Sequence, residues 1–247
     1  MPNNGIPAPR VAVLEKPDSL MSRSWYRFMY NLFARFVEET GILKTTFGGT
    51  GLGTYATGDM LYASATDTLA AIGKPTESSY LGMSAAGVPS WNSLDYGAFE
   101  SHSDQSAAAA NTPYETNFSA TTLSHGITLQ KNADRINTQI ACSKTAVYNF
   151  QFSVQFDKSG GTGPGLVWVW ARINGEDVPY SASQVRLQNT SSELVAAWNF
   201  LLSMNAGDYF ELMWATDDTT CIMSYIAASG DIPAIPSVIL TVTQVNV

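Results

Sequence analysis

The chain has 247 residues, enough for one large β domain or two modest domains with a hydrophobic core. Apolar residues make up 45% of it, whereas Asp, Glu, Lys and Arg together reach only 14%, against roughly a quarter in an average soluble domain. A surface with so little charge favours burial against other copies of the chain. We therefore expect an oligomer.

Charge is unevenly distributed along the chain. Residues 1–44 contain six Lys or Arg and four Asp or Glu, so the remainder carries the acidic excess behind the net charge of −8. An acidic body excludes nucleic acid as the main partner, because phosphate binding needs clustered Lys and Arg. The sequence has no run of about 18 apolar residues, which argues against membrane insertion. Residues 1–5 do not begin a secretory signal, so we expect synthesis and assembly in a cytoplasm.

The first 44 residues predict an extended arm followed by a helix. Residues 1–20 contain four prolines and cannot be helical. From Ser22 to Thr40, apolar side chains recur at three- and four-residue spacing, and Gly41 supplies a helix stop. An ordinary helix packed on its own domain is one interpretation. The other is an anchor that buries its apolar face in a larger assembly, through Trp25, Phe28, Met29, Leu32 and Phe36.

The segment from Phe47 to Ser93 is rich in Gly, Thr, Ser and Ala. Too many of its residues favour turns, and too few can fill a core, for a self-sufficient domain. Three copies wound together would bury what one copy cannot. A phosphate-binding loop is disfavoured, because no Lys follows the glycines at the required position.

The remainder of the chain has the pattern of an antiparallel β-sandwich. Apolar and polar side chains alternate from Ala146 to Asp157, as in a half-buried strand. The runs 166–171 and 194–204 are apolar on both faces, so each is expected between two packed layers or at a subunit contact. Turn signals separate further strand-like runs, which predicts a mainly β fold with a jelly-roll β-sandwich. The strand at 238–245 is expected to pair near the strand by which the chain enters this domain, at 95–99.

Two series of short motifs in residues 10–92 resemble bacteriophage virion proteins. Ser24-Trp25-Tyr26-Arg27-Phe28 followed by Asn31-Leu32-Phe33 resembles a helix near the N-terminus of some of these proteins. The series G-G-T-G, Y-x-x-G-D-M-L-Y-A and G-V-P-S-W resembles the shaft segment of tail fibres. The resemblance implies a trimeric appendage attached to the virion.

A further resemblance concerns the C-terminal region. The run Ala146-Val147-Tyr148-Asn149-Phe150, followed by Ala206-Gly207-Asp208-Tyr209-Phe210-Glu211-Leu212, resembles paired strands of C1q/TNF-like jelly rolls. This resemblance implies a tight homotrimer with an apolar central axis.

Side chains suited to catalysis are scarce. His102 and His125 lie in polar, turn-like surroundings. The acid pairs Glu176-Asp177 and Asp217-Asp218 lie in predicted hairpin loops, where solvated charges are expected. We therefore expect no enzyme and no cofactor. A calcium site at Asp217 and Asp218 is the alternative, since calcium prefers oxygen ligands on loops.

The two cysteines, Cys142 and Cys221, are far from any metal-binding or redox spacing. We expect two buried thiols that act as small hydrophobic side chains. A disulfide between them is the alternative.

These observations predict three regions: an arm and virion-anchor helix at 1–44, a Gly-rich interwoven shaft at 45–93, and a C1q/TNF-like jelly-roll head at 94–247. The functional hypothesis is a homotrimeric tail fibre that presents the head for attachment to the host-cell surface. A head (capsid) fibre or decoration protein with an adhesive role is the second hypothesis, and a polysaccharide-degrading spike is the third.

The expected partners follow from that hypothesis. The N-terminal region is expected to bind other virion proteins, such as a tail adaptor, the tail tube or the capsid. The head is expected to bind a bacterial surface receptor such as a glycan, through loops furthest from the shaft. The candidate receptor-loop residues are Asp157, Gly160, Gly161, Asp217, Asp218 and Thr219.

Overall fold

A computed structural model describes residues 21–37, 43 and 49–245 of the chain. The chain divides into two compact units, and the boundary lies between Asn92 and Ser93. We call them the N-terminal unit and the head. The predicted extended arm at 1–20 and the predicted helix stop at Gly41 lie outside the described residues. Over the described ranges, no helix has the length and apolar character needed to cross a membrane.

The helix of the N-terminal unit, α1, spans Arg23–Phe36, inside the predicted range of 22–40. It ends where Val37 becomes extended and its amide donates to the Phe33 carbonyl at 2.9 Å. All 14 residues of α1 are described, and none is buried. The aromatic face of α1 therefore gains little of the packing that stabilises most helices in proteins.

The described strands of the N-terminal unit form two antiparallel hairpins. Their strands are β1 (Met60–Ala65), β2 (Thr68–Ile72), β3 (Tyr80–Met83) and β4 (Pro89–Asn92). Pro89 is the only buried residue in these four strands. The sequence did not predict the hairpins, because Gly, Thr and Ser interrupt the two-residue alternation that marks a half-buried strand.

The head contains fourteen described strands. In chain order they are β5 (Tyr96–Ser101), β6 (Gln105–Ser106), β7 (Tyr114–Glu115), β8 (Ala120–His125), β9 (Ile127–Lys131), β10 (Asn137–Cys142), β11 (Ala146–Lys158), β12 (Gly165–Ile173), β13 (Glu176–Asp177), β14 (Ser183–Leu187), β15 (Glu193–Met204), β16 (Tyr209–Thr216), β17 (Cys221–Met223) and β18 (Val238–Gln244).

These strands form two antiparallel sheets. In the first sheet, β15, β11, β18, β5 and β8 lie side by side, while β17 and β6 continue the sheet beside the end of β11. In the second sheet, β12, β16, β10 and β9 lie side by side, β13 and β14 pair with the other edge of β12, and β7 pairs with β16. Along the chain, successive long strands alternate between the two sheets: β11 and β15 belong to the first, and β12 and β16 to the second. This alternation is the arrangement of a jelly roll. The predicted antiparallel jelly-roll β-sandwich is confirmed.

The core of the head lies between the two sheets. Phe150 of β11 stacks on Phe210 of β16 with ring centroids 4.2 Å apart, and Phe156 lies 6.3 Å from Trp214. Each large side chain buried in this way contributes about 1.5–3 kcal/mol to folding. Five successive inward side chains of β11 are at most 1% exposed: Tyr148, Phe150, Phe152, Val154 and Phe156.

The two runs that are apolar on both faces have only one face buried within the chain. In β12, Val167 and Val169 are buried, whereas Trp168 and Trp170 are half-buried on the outer face of the sheet. In β15, the outward Leu201 is 62% exposed. The expectation that these runs lie between two packed layers is therefore wrong for this chain alone. The expectation of a subunit contact stays a prediction.

The C-terminal strand pairs where the sequence predicted. β18 lies against β5, the first strand of the head, with Thr243 opposite Tyr96 and Val238 opposite Ser101. Thr243 is also opposite Asn149, near the start of β11. The chain therefore enters the head at one end of β11, and the far end of β11 at Lys158 lies at the opposite end of the sandwich.

Candidate functional site

None of the predicted anchor residues on α1 is fully buried. Trp25, Phe28 and Leu32 are half-buried, and Trp25 packs edge-to-face on Phe28 with centroids 5.4 Å apart. Met29 and Phe36 are exposed. A helix that shows so much apolar surface is typical of a segment that packs against a partner.

The aromatic surface of α1 extends beyond the predicted anchor set. Tyr26 and Tyr30 are 64% and 61% exposed and stack on each other with ring centroids 6.4 Å apart. Phe33 is 60% exposed. The four-residue spacing of the two tyrosines is the signal that could have placed them on one face.

A further exposed surface lies on the outer side of β15. Among the described strands β15 pairs only with β11, through all twelve of its residues, so its other edge is unpaired. Its outward side chains are exposed, and Asn199 donates to Asn149 of β11 at 2.7 Å. We call the outward residues Val195, Ala197, Asn199 and Leu201 the β15 face. A long, exposed strand edge with apolar neighbours invites pairing with another chain.

The candidate receptor loops come together at the far end of β11. Thr220 bridges them, because its side-chain oxygen lies 2.8 Å from the carbonyl oxygen of Gly160. The backbone amide of Leu166 also donates to the Asp217 carboxylate at 2.7 Å. Gly161 lies in the same loop as Gly160, and Thr219 is exposed beside Thr220. The two loops therefore form one braced cluster.

Asp157 is not a loop residue, contrary to the sequence prediction. It is paired within β11, opposite Glu193 of β15 and Ile222 of β17. The strand continues to Lys158 because it has a neighbouring strand on both sides at this point. Its backbone is therefore fixed by two ladders and is not free to adapt to a ligand.

Lys158 holds the loop cluster together from inside. Its side chain is fully buried, and its ammonium group donates to the Asp218 carboxylate and, at 2.8 Å, to Thr220 Oγ1. The hydrogen bond from Lys158, followed by that from the Thr220 amide, lowers the pKa of Asp218 to about 2. The carboxylate is thus ionised and already paired, which disfavours the alternative of a calcium site. No group of three or more His, Cys, Asp or Glu side chains is placed to hold a metal among the described residues.

The two histidines contact neighbouring side chains of the head, and the two cysteines are buried. His102 Nε2 lies 3.2 Å from the Glu100 carboxylate, and His125 stacks on Tyr96. Cys142 and Cys221 are buried free thiols, as predicted, and they form no disulfide. Burial raises the pKa of Cys142 to about 12 and raises that of Cys221, so neither is a ready nucleophile.

Sequence reasoning missed one set of residues on the outer face of the second sheet. Trp168, Trp170, Asp177 and Tyr180 line a cavity of about 440 Å³. The sequence pattern places the two tryptophans in a run that is apolar on both faces, and Asp177 in a solvated acid pair. The Asn174-Gly175 turn was the available signal, because a two-residue hairpin at that point places Asp177 beside β12.

Comparison with known proteins gives likeness of fold only. No protein-family model matches the chain, and no curated protein matches it. Solved structures similar to it include crystal structures of murine APRIL at pH 5.0 and at pH 8.5, with 11% and 12% sequence identity. Each likeness has a TM-score of 0.38 and covers 62% of this chain and 100% of the other. The jelly-roll assignment rests on the strand order described above.

Proposed function

We propose that the chain is a non-enzymatic, homotrimeric tail-fibre protein of a bacteriophage virion. In this proposal residues 1–44 anchor the fibre to the particle, residues 45–93 form an interwoven shaft, and residues 94–247 form the head that attaches to the bacterial surface. The main supporting observation is that α1 buries none of its residues whereas the head has a complete core of its own. An amphipathic helix in that state needs a partner to cover its aromatic face.

The β15 face supports the trimer. Val195 and Leu201 are 56% and 62% exposed beside the unpaired edge of a twelve-residue strand. Such an edge favours aggregation unless it is covered. Two further copies of the chain around a three-fold axis would cover this face in every subunit and leave no open edge.

The polar clusters of the head support a binding role rather than a catalytic one. Asp218 is paired with the buried Lys158, and Asp95 accepts hydrogen bonds from Lys144 and Ser143 at 2.7 Å each. Both clusters fasten loops to the sandwich. Fixed loops on a rigid sandwich are a common arrangement for recognition.

The oligomeric state provides the first test. Light scattering of the full-length protein should give about 80 kDa, three times the chain mass of 26.6 kDa. Leu201→Arg on the β15 face should release monomers, since a buried charge without a partner is costly. Leu123→Arg, at a 57% exposed position on β8, is the matched control and should leave the trimer intact. A monodisperse monomer for the unaltered protein would contradict the proposal.

The position on the particle provides the second test. Antibodies against the head should label the tail tip in electron micrographs of particles that contain the chain. Label distributed over the capsid would favour the head-fibre hypothesis instead. Hydrolysis of host capsule by the pure protein would favour the polysaccharide-degrading spike.

The braced loop cluster is the proposed receptor surface, and its exposed residues can be changed separately from its structural ones. Asp217 and Thr219 are exposed, although Asp217 also accepts from the Leu166 amide, whereas Asp218 holds Lys158. Replacing Asp217 with Asn, which keeps the accepting oxygen, and Thr219 with Gly should weaken adsorption of particles to host cells and leave the trimer intact. Unchanged adsorption, including with a parallel replacement of the loop at 159–164, would remove these loops from the binding surface.

A further inference from the structure

We propose that the outer face of the second sheet of the head carries a binding groove for a neutral saccharide, formed by Trp168, Trp170 and Tyr180 with Asp177 and Asn111 as polar contacts. The groove belongs to the sandwich wall and is separate from the loop cluster at the far end of β11. Binding of a saccharide in this groove is inferred from the structure of the groove itself. Only its role in host attachment rests on the proposed function. Its cavity of about 440 Å³ lies within the range of roughly 300–1,000 Å³ that is usual for small-molecule sites.

The strand alternation of β12 supplies the aromatic floor. Val167 and Val169 point into the core and are fully buried, so Trp168 and Trp170 point to the opposite side of the sheet. Two residues along a strand correspond to roughly 7 Å, which sets the two indoles side by side. The neighbouring Ala215 of β16, opposite Trp168, is small and leaves the floor open.

Asp177 supplies a fixed hydrogen-bond acceptor at the side of the groove. Its Oδ1 accepts from Trp170 Nε1 and from Arg172 Nε, each at 2.8 Å. These bonds, first that from Arg172, lower the pKa of Asp177, so the group is a carboxylate near neutral pH. Its Oδ2 has no hydrogen bond from any described residue and can accept from the hydroxyl groups of a ligand.

Tyr180 and Asn111 at the rim both have left-handed backbone conformations, which Asn tolerates and an aromatic residue rarely adopts. Tyr180 is fully exposed at a φ of +64°, and Asn111 lies at a φ of +55°. A left-handed conformation costs a residue with a side chain roughly 1–2 kcal/mol. The Ser181 hydroxyl, which donates to the Val178 carbonyl at 2.8 Å, fixes the turn that contains Tyr180. A large aromatic side chain displayed on a strained, braced turn is typical of a functional position.

The combination of groups fits a saccharide. The C–H faces of a pyranose ring carry partial positive charge, which is attracted to the negative faces of aromatic rings. Its hydroxyls both donate and accept, so they match a carboxylate oxygen and the side-chain amide of Asn111, which has no hydrogen-bond partner among the described residues. The carboxylate of Asp177 and the net charge of −8 disfavour phosphates and acidic glycans.

A proline-rich peptide is the other class of ligand that aromatic grooves bind. Its backbone offers carbonyl acceptors and few donors, whereas the open oxygen of Asp177 can only accept. The Asn111 amide can donate to such a carbonyl, but the open oxygen of Asp177 needs a donor, which a sugar hydroxyl supplies and a prolyl residue lacks. Asp177 therefore favours the saccharide.

The experiment measures binding of neutral oligosaccharides to the full-length protein by isothermal titration. The probes are maltohexaose, cellohexaose, chitohexaose and a mannohexaose, together with a ten-residue polyproline peptide. At least one sugar should bind. Trp168→Ala and Tyr180→Ala should each weaken that binding about tenfold or more, and Asp177→Asn should weaken it as well. Tyr96→Ala, at an exposed position on the other sheet, is the control and should bind like the unaltered protein.

Three results would overturn the inference. They are no binding of any sugar, equal binding by the Tyr180→Ala protein with an unchanged melting temperature, and binding of the peptide in the groove in place of sugars. Because Tyr180 is fully exposed, its replacement should not prevent folding. Particle adsorption is measured separately. Sugar binding through the groove with normal adsorption of the Tyr180→Ala particles would refute a role of the groove in attachment and leave the site itself established.

Discussion

The head and the N-terminal unit use the same antiparallel pairing and differ in what covers their strands. In the head, β11 is flanked by β15 and β18 and packs its inner face on a second sheet, so its aromatic side chains are buried. In the N-terminal unit, the β1–β2 and β3–β4 hairpins are two-stranded sheets, and Pro89 is their only buried residue. Backbone pairing alone gives marginal stability, because an isolated hairpin lacks a hydrophobic face to bury.

Because of this difference, we expect mutations in the two units to affect different properties of the protein. A substitution in the core of the head should lower the stability of the head itself. A substitution on the surface of α1 or of the hairpins should alter assembly and leave the head stable. The following substitutions test whether the two units respond independently.

The largest expected effect is loss of the protein from particles. Replacing Trp25, Phe28 and Leu32 together with Ser removes the apolar face of α1, where each side chain has roughly 1.5–3 kcal/mol of burial to lose in a complex. The variant should be absent from purified particles by immunoblot, and the head should melt at its normal temperature. Arg27→Ser is the control from the same helix and should be incorporated. Normal copy number of the triple variant would refute the anchor assignment.

The second effect concerns the core. Phe150→Ala removes a fully buried ring that stacks on Phe210, and it should lower the free energy of unfolding by about 3–5 kcal/mol. Leu61→Ala, at a 43% exposed position in β1, should change it by less than about 0.5 kcal/mol. Urea unfolding followed by tryptophan fluorescence measures both. Equal losses in the two variants would show that the hairpins contribute to one cooperative core.

The same division explains how much the sequence predicted. The alternation over 146–157 located β11 to within one residue, since one face of that strand is buried and the other is not. The hairpins at 60–92 were missed because neither face of their strands is buried, which leaves no periodic pattern to detect. Strand order was predicted only for β5 and β18, because pairing across the sheet depends on contacts between residues far apart in sequence.

The candidate sites were predicted less well, for related reasons. The segments 157–165 and 217–220 are predicted to lie at the end of the head opposite the entry of the chain, and the structure brings their loop residues together. The buried Lys158 that joins them was not singled out, because a lysine at a strand end is usually solvated. Trp168 and Trp170 were assigned to burial on both faces, since hydrophobicity does not distinguish a core residue from one that lines an open groove.

The third effect depends on pH and tests the Lys158–Asp218 pair. The pKa of Asp218 is about 2 in the folded protein, against an ordinary value of 3.8. Because the folded pKa is the lower one, the stabilisation is complete above about pH 4 and is lost as pH falls toward 2. The shift corresponds to about 2 kcal/mol. Asp218→Asn should therefore reduce stability at pH 7 by about that amount.

The measurement is the difference in unfolding free energy between the unaltered protein and Asp218→Asn at several pH values. The difference should shrink between pH 4 and pH 2. Comparison with the variant is needed because the pKa values of Asp177 and Asp208 are also lowered, and they contribute to acid sensitivity in the same direction. A difference that stays constant over this range would contradict the paired state of Asp218.

The smallest expected effect compares the same substitution in the two units. Gly207, in the turn between β15 and β16, has a φ of +90°, and Gly87, in the turn between β3 and β4, has a φ of +76°. A Cβ atom added at either position would meet nothing within 4 Å, so the cost of Ala is conformational in both cases, about 1–2 kcal/mol. Gly207→Ala should lower the free energy of unfolding of the head by that amount, because the turn forms with the sandwich. Gly87→Ala should leave it unchanged and act only on the β3–β4 hairpin. Hydrogen exchange at the Ser84 amide, which donates to the Val88 carbonyl at 3.0 Å in the same turn, should then become faster. If both variants lower the unfolding free energy of the head equally, the hairpin and the sandwich unfold as one unit, and the division between them does not hold.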